Sequence, residues 1–248
     1  MKKSELDVLM EDLTAGADYQ HALLPAALPR VPGYDLAAFC RPARALCGDF
    51  YDLLPTGDGR VGLVIADASG KSIPASLIAV MCQLLFRTRP EPEAPPCRVL
   101  SHVNRLLLGN IRPGTFVSGV YGLLDPAAHT LTVANAGHLP LLVWRSGEGR
   151  ATTHQPRGAV LGALPPEAYE RGIENEEIPL APGDRFVLFT DGVNEAMAPG
   201  QKEFGMQHLH HRLKADSDGS SSAFLRAIVD QIELHLGGGE QSDDITIL

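Results

Sequence analysis

Residues 184–196 read DRFVLFTDGVNEA. An apolar run, Phe186 to Phe189, stops at Thr190, Asp191 and Gly192. A short apolar run bounded by turn residues is the pattern of a buried strand, and a carboxylate is costly to bury without a partner. The pattern recurs in residues 61–71, VGLVIADASGK, where the run ends at Asp67. Residues 47–52, CGDFYD, put Asp49 at the start of another strand, and residues 242–248, SDDITIL, put Asp243 and Asp244 just before a last one. If these strand ends converge, several carboxylates share one pocket. Two such charges ~4 Å apart repel by about 4 kcal/mol at an effective dielectric near 20. No set of arginines flanks the motifs, so the cluster calls for metal ions or for protonation. All-oxygen donors select hard cations, magnesium or manganese rather than zinc or copper. The neighbouring glycines let the backbone approach an ion closely. Singly, Asp-Gly after a strand is a common turn and DDITIL a solvated strand start. The weight rests on the ordered set.

The rest of the chain bounds the answer. Its 248 residues suffice for one large domain with a real core. Hydrophobic residues make up 44 % and mean hydropathy is −0.01, an ordinary globular composition. A net charge of −9 argues against nucleic acid or an anionic membrane as the main partner. The 4 cysteines, Cys40, Cys47, Cys82 and Cys97, form no CxxC pair and have no histidine at zinc-ligand spacing. They read as reduced thiols. With no signal-peptide pattern and no apolar stretch near the ~20 residues that span a bilayer, the expectation is a cytoplasmic protein without a membrane span.

Apolar residues at Leu6, Leu9, Met10, Leu13 and Leu23 make residues 1–24 an amphipathic helical segment, with Ser4 as its cap. It packs on its own domain or serves a dimer or partner. Prolines 25, 29 and 32 then enforce an extended connector. Strands are expected over YDLAAFC, CGDFYDLL and VGLVIA. Helices follow over ASLIAVMCQLLF and CRVLSHVNRLLLGN, with the Pro-rich loop TRPEPEAPP between them. TFVSGVYGLLD, HTLTVANAG and LPLLVWR read as three consecutive antiparallel strands. GDRFVLFTDG is a further strand, FGMQHLHHRLK and SSAFLRAIVDQIELHL are helices joined by DSDGSS, and DDITIL is terminal. The order predicts an α+β fold of antiparallel sheets with helices on their outer faces.

The ordered set resembles the SpoIIE-type, RsbU-like branch of the metal-dependent (PPM, type 2C) serine/threonine protein phosphatases. The matching stretches are LLPAALP, PARALCGDFYD, DASGKSIPASLIAVM, FVSGVYGLLD, NAGHLPLL, GAVLG, GDRFVLFTDGVNEA and SDDITIL, from about residue 20 to the end. The resemblance implies an αββα sandwich of two antiparallel sheets flanked by helices, with a phosphatase domain over residues 25–248 and residues 1–24 as a regulatory or dimerisation segment. It implies two Mn2+ or Mg2+ ions. Asp67 would bridge them with the Ala68 carbonyl as a backbone ligand, Asp191 and Asp243 would hold the second ion, and Asp49 would act through bound water. Asp244 is the second metal candidate of that pair, with Asp243 favoured as the ligand. Arg44 is the candidate phosphate grip. The histidine that type 2C enzymes carry just after the bridging acid is missing, with Ser69 and Lys71 in its place, so the general acid is unassigned. His138 reads as a turn histidine satisfied by backbone, and His208 to His211 as a polar helix face.

The implied substrate is a phosphorylated STAS-domain anti-sigma-factor antagonist. An activator protein docking on the N-terminal helix, or a homodimer through it, is the implied control. The alternative is a catalytically inactive relative that binds a phosphoprotein without turnover.

Overall fold

The structure is a computed structural model that describes residues 4–89, 91, 94–215 and 219–248. Residues 1–3 of the expected N-terminal segment, part of the Pro-rich loop and residues 216–218 of the expected helix linker lie outside the described residues.

One sheet runs in the order β2 (Asp49–Pro55), β3 (Val61–Ala68), β4 (Val117–Asp125), β5 (Thr130–Ala136), β8 (Glu176–Pro179), every neighbour antiparallel. The second layer holds β7 (Arg150–His154), β6 (Leu141–Arg145) and β9 (Arg185–Val187). Beyond β9 the chain runs on beside β10 (Ile245–Ile247), through a Phe189–Ile247 bridge and reciprocal Leu188–Leu248 backbone bonds of 2.8 and 2.9 Å. β10 pairs on its other side with β1 (Phe39–Arg41).

Strand periodicity assigns the faces. On β3, Val64, Ala66 and Ala68 face α2 (Ile73–Arg87) and α3 (Pro96–Leu108), while Val61, Leu63 and Ile65 face the other sheet. Beyond the start of β9, Val187 and Phe189 face α6 (Met206–Ala215) and α7 (Ser221–Leu236), while Phe186 and Leu188 face inward. Burying a side chain such as Leu63 or Ile65 contributes roughly 2 kcal/mol. Three apolar layers between four structural layers make the expected αββα sandwich.

Several local expectations are corrected. The strand expected over YDLAAFC shortens to β1, because a turn at Val31–Tyr34 takes up the chain before it. β5 and β6 do not pair. The Asn135 side chain accepts from the His138 N–H at 2.7 Å and donates to the carbonyls of His138 and Leu139 at 3.1 and 3.3 Å. With Gly137 at φ +67°, that turn carries the chain across into the second layer. The place beside β5 goes to β8, which the sequence reading does not contain. Also absent from that reading are β7, a polar strand at the edge of its sheet, and α4 (Pro166–Gly172), two turns that bury Tyr169.

α1 (Glu5–His21) begins as expected at Ser4, whose hydroxyl accepts from the Asp7 N–H while the Asp7 carboxylate accepts from the Ser4 N–H. It buries no side chain. Among the described residues, no helix is long and apolar enough to cross a membrane.

Candidate functional site

The acids of the four motifs meet at one edge of the sandwich, between the sheets. Asp49 opens β2 and stands in register opposite Asp67 near the end of β3. On its other side Asp67 stands opposite Ser118 of β4. From the second layer, Asp191 begins the single turn α5 (Asp191–Asn194), and Asp243 and Asp244 precede β10.

Threonines tie the layers together here. The Thr190 hydroxyl donates to Asp49 Oδ2 at 2.7 Å and accepts from the Thr246 N–H at 3.0 Å. Asp244 is held by backbone: its Oδ1 accepts from the Ala43 N–H at 2.7 Å and its Oδ2 from the Gly48 N–H at 2.5 Å. Gly192 explains the Asp-Gly ending of the opening motif. A Cβ on it would stand 1.9 Å from the Asp244 carbonyl oxygen, so only glycine lets α5 press against the Asp243–Asp244 backbone.

The electrostatics are those of carboxylates crowded together. Burial pushes the Asp67 carboxyl up to about 7, with Asp191, Asp243 and Asp244 adding repulsion and Lys71 opposing it. Asp49, 4 % exposed, is pushed well above the carboxylate range by burial and by Asp67. Asp191 is raised by burial and by Asp243. As placed, no three His, Cys, Asp or Glu side chains among the described residues close into a ligand-spaced group. They are near enough to perturb one another, and the Lys71 ammonium stands among them, 2.7 Å from Asp243 Oδ2.

The donors are nonetheless of one kind. Where a Cβ on Gly48 would sit, the Ala68 carbonyl, Asp244 Oδ2 and the Gly70 carbonyl stand 3.3, 3.5 and 3.5 Å away. A cradle of carboxylate and carbonyl oxygens left open by a glycine suits a hard cation.

Beside the acids lies a groove of about 630 Å³, lined by Arg44, Lys71, Ser72, Ser76, Asp243 and Asp244 among others. A cavity of about 640 Å³ at the opposite end of β9 matches it in size, but none of Asp49, Asp67, Asp191, Asp243 and Asp244 lines it. Chemistry rather than volume therefore singles out the groove. Arg44 is engaged at its rim, donating to the Lys71 carbonyl at 2.9 Å.

Three contributors escaped the sequence reading. Thr190 links the layers. Glu195 is raised by burial and by Asp191, and so faces the same cluster. His138 is a strut as well as a turn residue. Its Nε2 faces the Phe189 carbonyl at 3.1 Å and its Nδ1 the Ser118 hydroxyl at 2.8 Å. A carbonyl only accepts, so Nε2 carries the proton and Ser118 donates to Nδ1. Burial lowers this imidazole to about 4. His138 thus spans from the partner of Asp67 to the strand leading into Asp191. In contrast, His208 donates to the Phe204 carbonyl and stacks on the Phe204 ring, away from the acids. The four cysteines are free thiols.

Comparison with known proteins agrees with this fold. The family model described as Stage II sporulation protein E (SpoIIE) matches residues 57–248. The phosphoserine phosphatase RsbU of Bacillus subtilis is 30 % identical over 193 residues, which are 78 % of this chain and 54 % of RsbU. The chain spans about half the length of the curated relatives it matches. Among solved structures, the SiaA-PP2C domain of Pseudomonas aeruginosa superposes with a TM-score of 0.82 at 20 % identity, covering 98 % of this chain and 95 % of that one. The RsbU and RsbW domains of Rv1364c from Mycobacterium tuberculosis give 0.73 at 25 % identity, covering 91 % and 61 %.

Proposed function

This chain belongs to the SpoIIE family, and on that premise we propose that it is a metal-dependent phosphatase that hydrolyses phosphoserine or phosphothreonine on a regulatory protein. The observation that carries the reading is the gathering of Asp67, Asp191, Asp243 and Asp244 from both layers at one edge of the sandwich, near enough to perturb one another, beside a groove with cationic side chains at its rim. The name of its relative RsbU, a phosphoserine phosphatase, supports the reaction class. A STAS-domain anti-sigma-factor antagonist is the substrate that the family resemblance favours.

The residues divide the work. Two ions, Mg2+ or Mn2+, would be held by Asp67, with the Ala68 carbonyl as a backbone ligand, and by Asp191 and Asp243, with Asp49 acting through bound water. Asp244 spends its oxygens on the Ala43 and Gly48 N–H groups, so it fixes the loop before β2 and is the lesser ligand of its pair. When bound, the ions supply a lowered water pKa and neutralise charge on the phosphoryl oxygens. Arg44 orients the ester from the groove's rim.

α1 is the control element of this reading. Its Gln20 side chain donates to the Cys47 carbonyl at 2.6 Å and accepts from the Cys47 N–H at 2.9 Å, one residue from the Gly48 N–H that holds Asp244. A protein partner or second copy on α1 would act through that contact.

The test is turnover of a chromogenic aryl phosphate and of a phosphorylated STAS-domain protein, with manganese, with magnesium and with chelator. Turnover that chelator abolishes, and that Asp67→Asn lowers by about a thousandfold or more, is the expected result. Manganese binding without turnover would favour a partner-binding relative instead.

A further inference from the structure

Lys71 is the residue of the acid cluster that the division of labour above leaves without a task. Its ammonium donates to Asp243 Oδ2 at 2.7 Å and to the Ser242 carbonyl at 3.1 Å. Among the described residues, this is the ion pair that reaches the five strand-end carboxylates. Its two acceptors, a carboxylate and a main-chain carbonyl, are the donor types that a hard divalent ion takes. The lysine therefore stands where a cation on Asp243 belongs, and the two cannot share that oxygen.

The loop carrying Lys71 is pinned. Ser69 exchanges two hydrogen bonds with Phe116, donating its N–H to the Phe116 carbonyl at 2.9 Å and accepting from the Phe116 N–H at 3.0 Å. Arg44 holds the Lys71 carbonyl. With its backbone held and its side chain half exposed, Lys71 can swing its ammonium from Asp243 into the groove it lines with Arg44, Ser72 and Ser76.

We propose that Lys71 is a tethered counter-ion that cedes Asp243 to the divalent ion and then binds an oxygen of the substrate's phosphate. The proposal rests on the metal-dependent reading of this site. It makes phosphate recognition conditional on ion loading, because the lysine is free for the ester only after an ion has displaced it.

Calorimetric titration of manganese chloride into wild type, Lys71→Met and Lys71→Arg tests the first half. Titration of inorganic phosphate into the manganese-loaded proteins tests the second, with a thermal melt of each variant to check folding. Lys71→Met should bind manganese about fivefold more tightly, because a competing half-exposed charge is gone, and phosphate about fivefold more weakly. Lys71→Arg should keep both affinities close to wild type. If wild type binds manganese and Lys71→Met matches it in either affinity, the lysine's role is overturned while the metal reading stands. If wild type binds no manganese, both fall together.

Discussion

β2 carries two buried acids three residues apart, and their surroundings are opposite. Asp52, 3 % exposed, meets Arg87 Nε at 2.7 Å and accepts the Leu53 N–H at 2.9 Å. Asp49, 4 % exposed, meets Thr190 and stands against Asp67 and Asp244. The fold supplies Asp52 with its counter-charge and withholds one from Asp49. A buried charge must be paired or must coordinate a metal. Asp52 is therefore part of the scaffold, clamping α2 to the first sheet, and Asp49 belongs to the acid set that, in the proposed reading, holds the divalent ions. The first and the middle residue of a single seven-residue strand thus obey different rules.

The strongest way to break this contrast is to neutralise one acid of each kind. Asp191→Asn should lower aryl phosphate turnover by about a thousandfold and leave urea unfolding nearly unchanged, because the lost charge was repelled by its neighbours. Asp52→Ala should do the reverse. It takes the counter-charge from Arg87, which keeps the Leu23 carbonyl, and frees the Leu53 N–H, costing about 2 kcal/mol of unfolding free energy once Arg87's partial exposure is allowed for. Turnover per folded molecule should persist. A large activity loss without destabilisation in Asp52→Ala would erase the distinction.

The smallest effect comes from His138, which is buried and neutral between Ser118 and Phe189. Its value of about 4 in the folded protein lies below its ordinary 6.5, so the unfolded chain takes up a proton first as pH falls. Stability from this group is intact above about pH 6.5 and drains away toward pH 4. From about pH 7 to about pH 5.5 the loss should be about 1 kcal/mol. Urea unfolding across that range measures it, and His138→Gln should flatten the dependence.

Much of this was legible in the residues. Each of the four strand-end motifs is local: an apolar run beside an acid, with a glycine close by in three of them. Local patterns survive without knowledge of the partner, so Asp49, Asp67, Asp191 and Asp243 stand out in the chain, and the α+β order of antiparallel sheets and outer helices with them; the αββα sandwich came with the family resemblance. What failed to show was non-local or weakly patterned. β8 has the sequence EEIP, four residues with two acids, and nothing but its pairing with β5 makes it a strand. β6 was read beside β5 because a short joint normally means a hairpin. Its departure depends on three hydrogen bonds from one side chain, Asn135. The strut role of His138 depends on Ser118 and Phe189, which are 20 and 51 residues away. Lys71 was visible only as the absence of a histidine, and its pairing with Asp243, 172 positions on, has no signature in sequence.

β10 lies between β1 and the extension of β9, in the interior of its layer. Residues 243–247 are therefore the last part of the site to leave the ribosome, although they complete pairings begun some 200 residues earlier. A nascent chain lacking them has an unzipped seam through the second layer and no Asp243 or Asp244. Such a chain is both catalytically silent and prone to sticking edge to edge. Placing Asp243 and Asp244 next to the seam-closing strand ties assembly of the acid cluster to closure of the second layer.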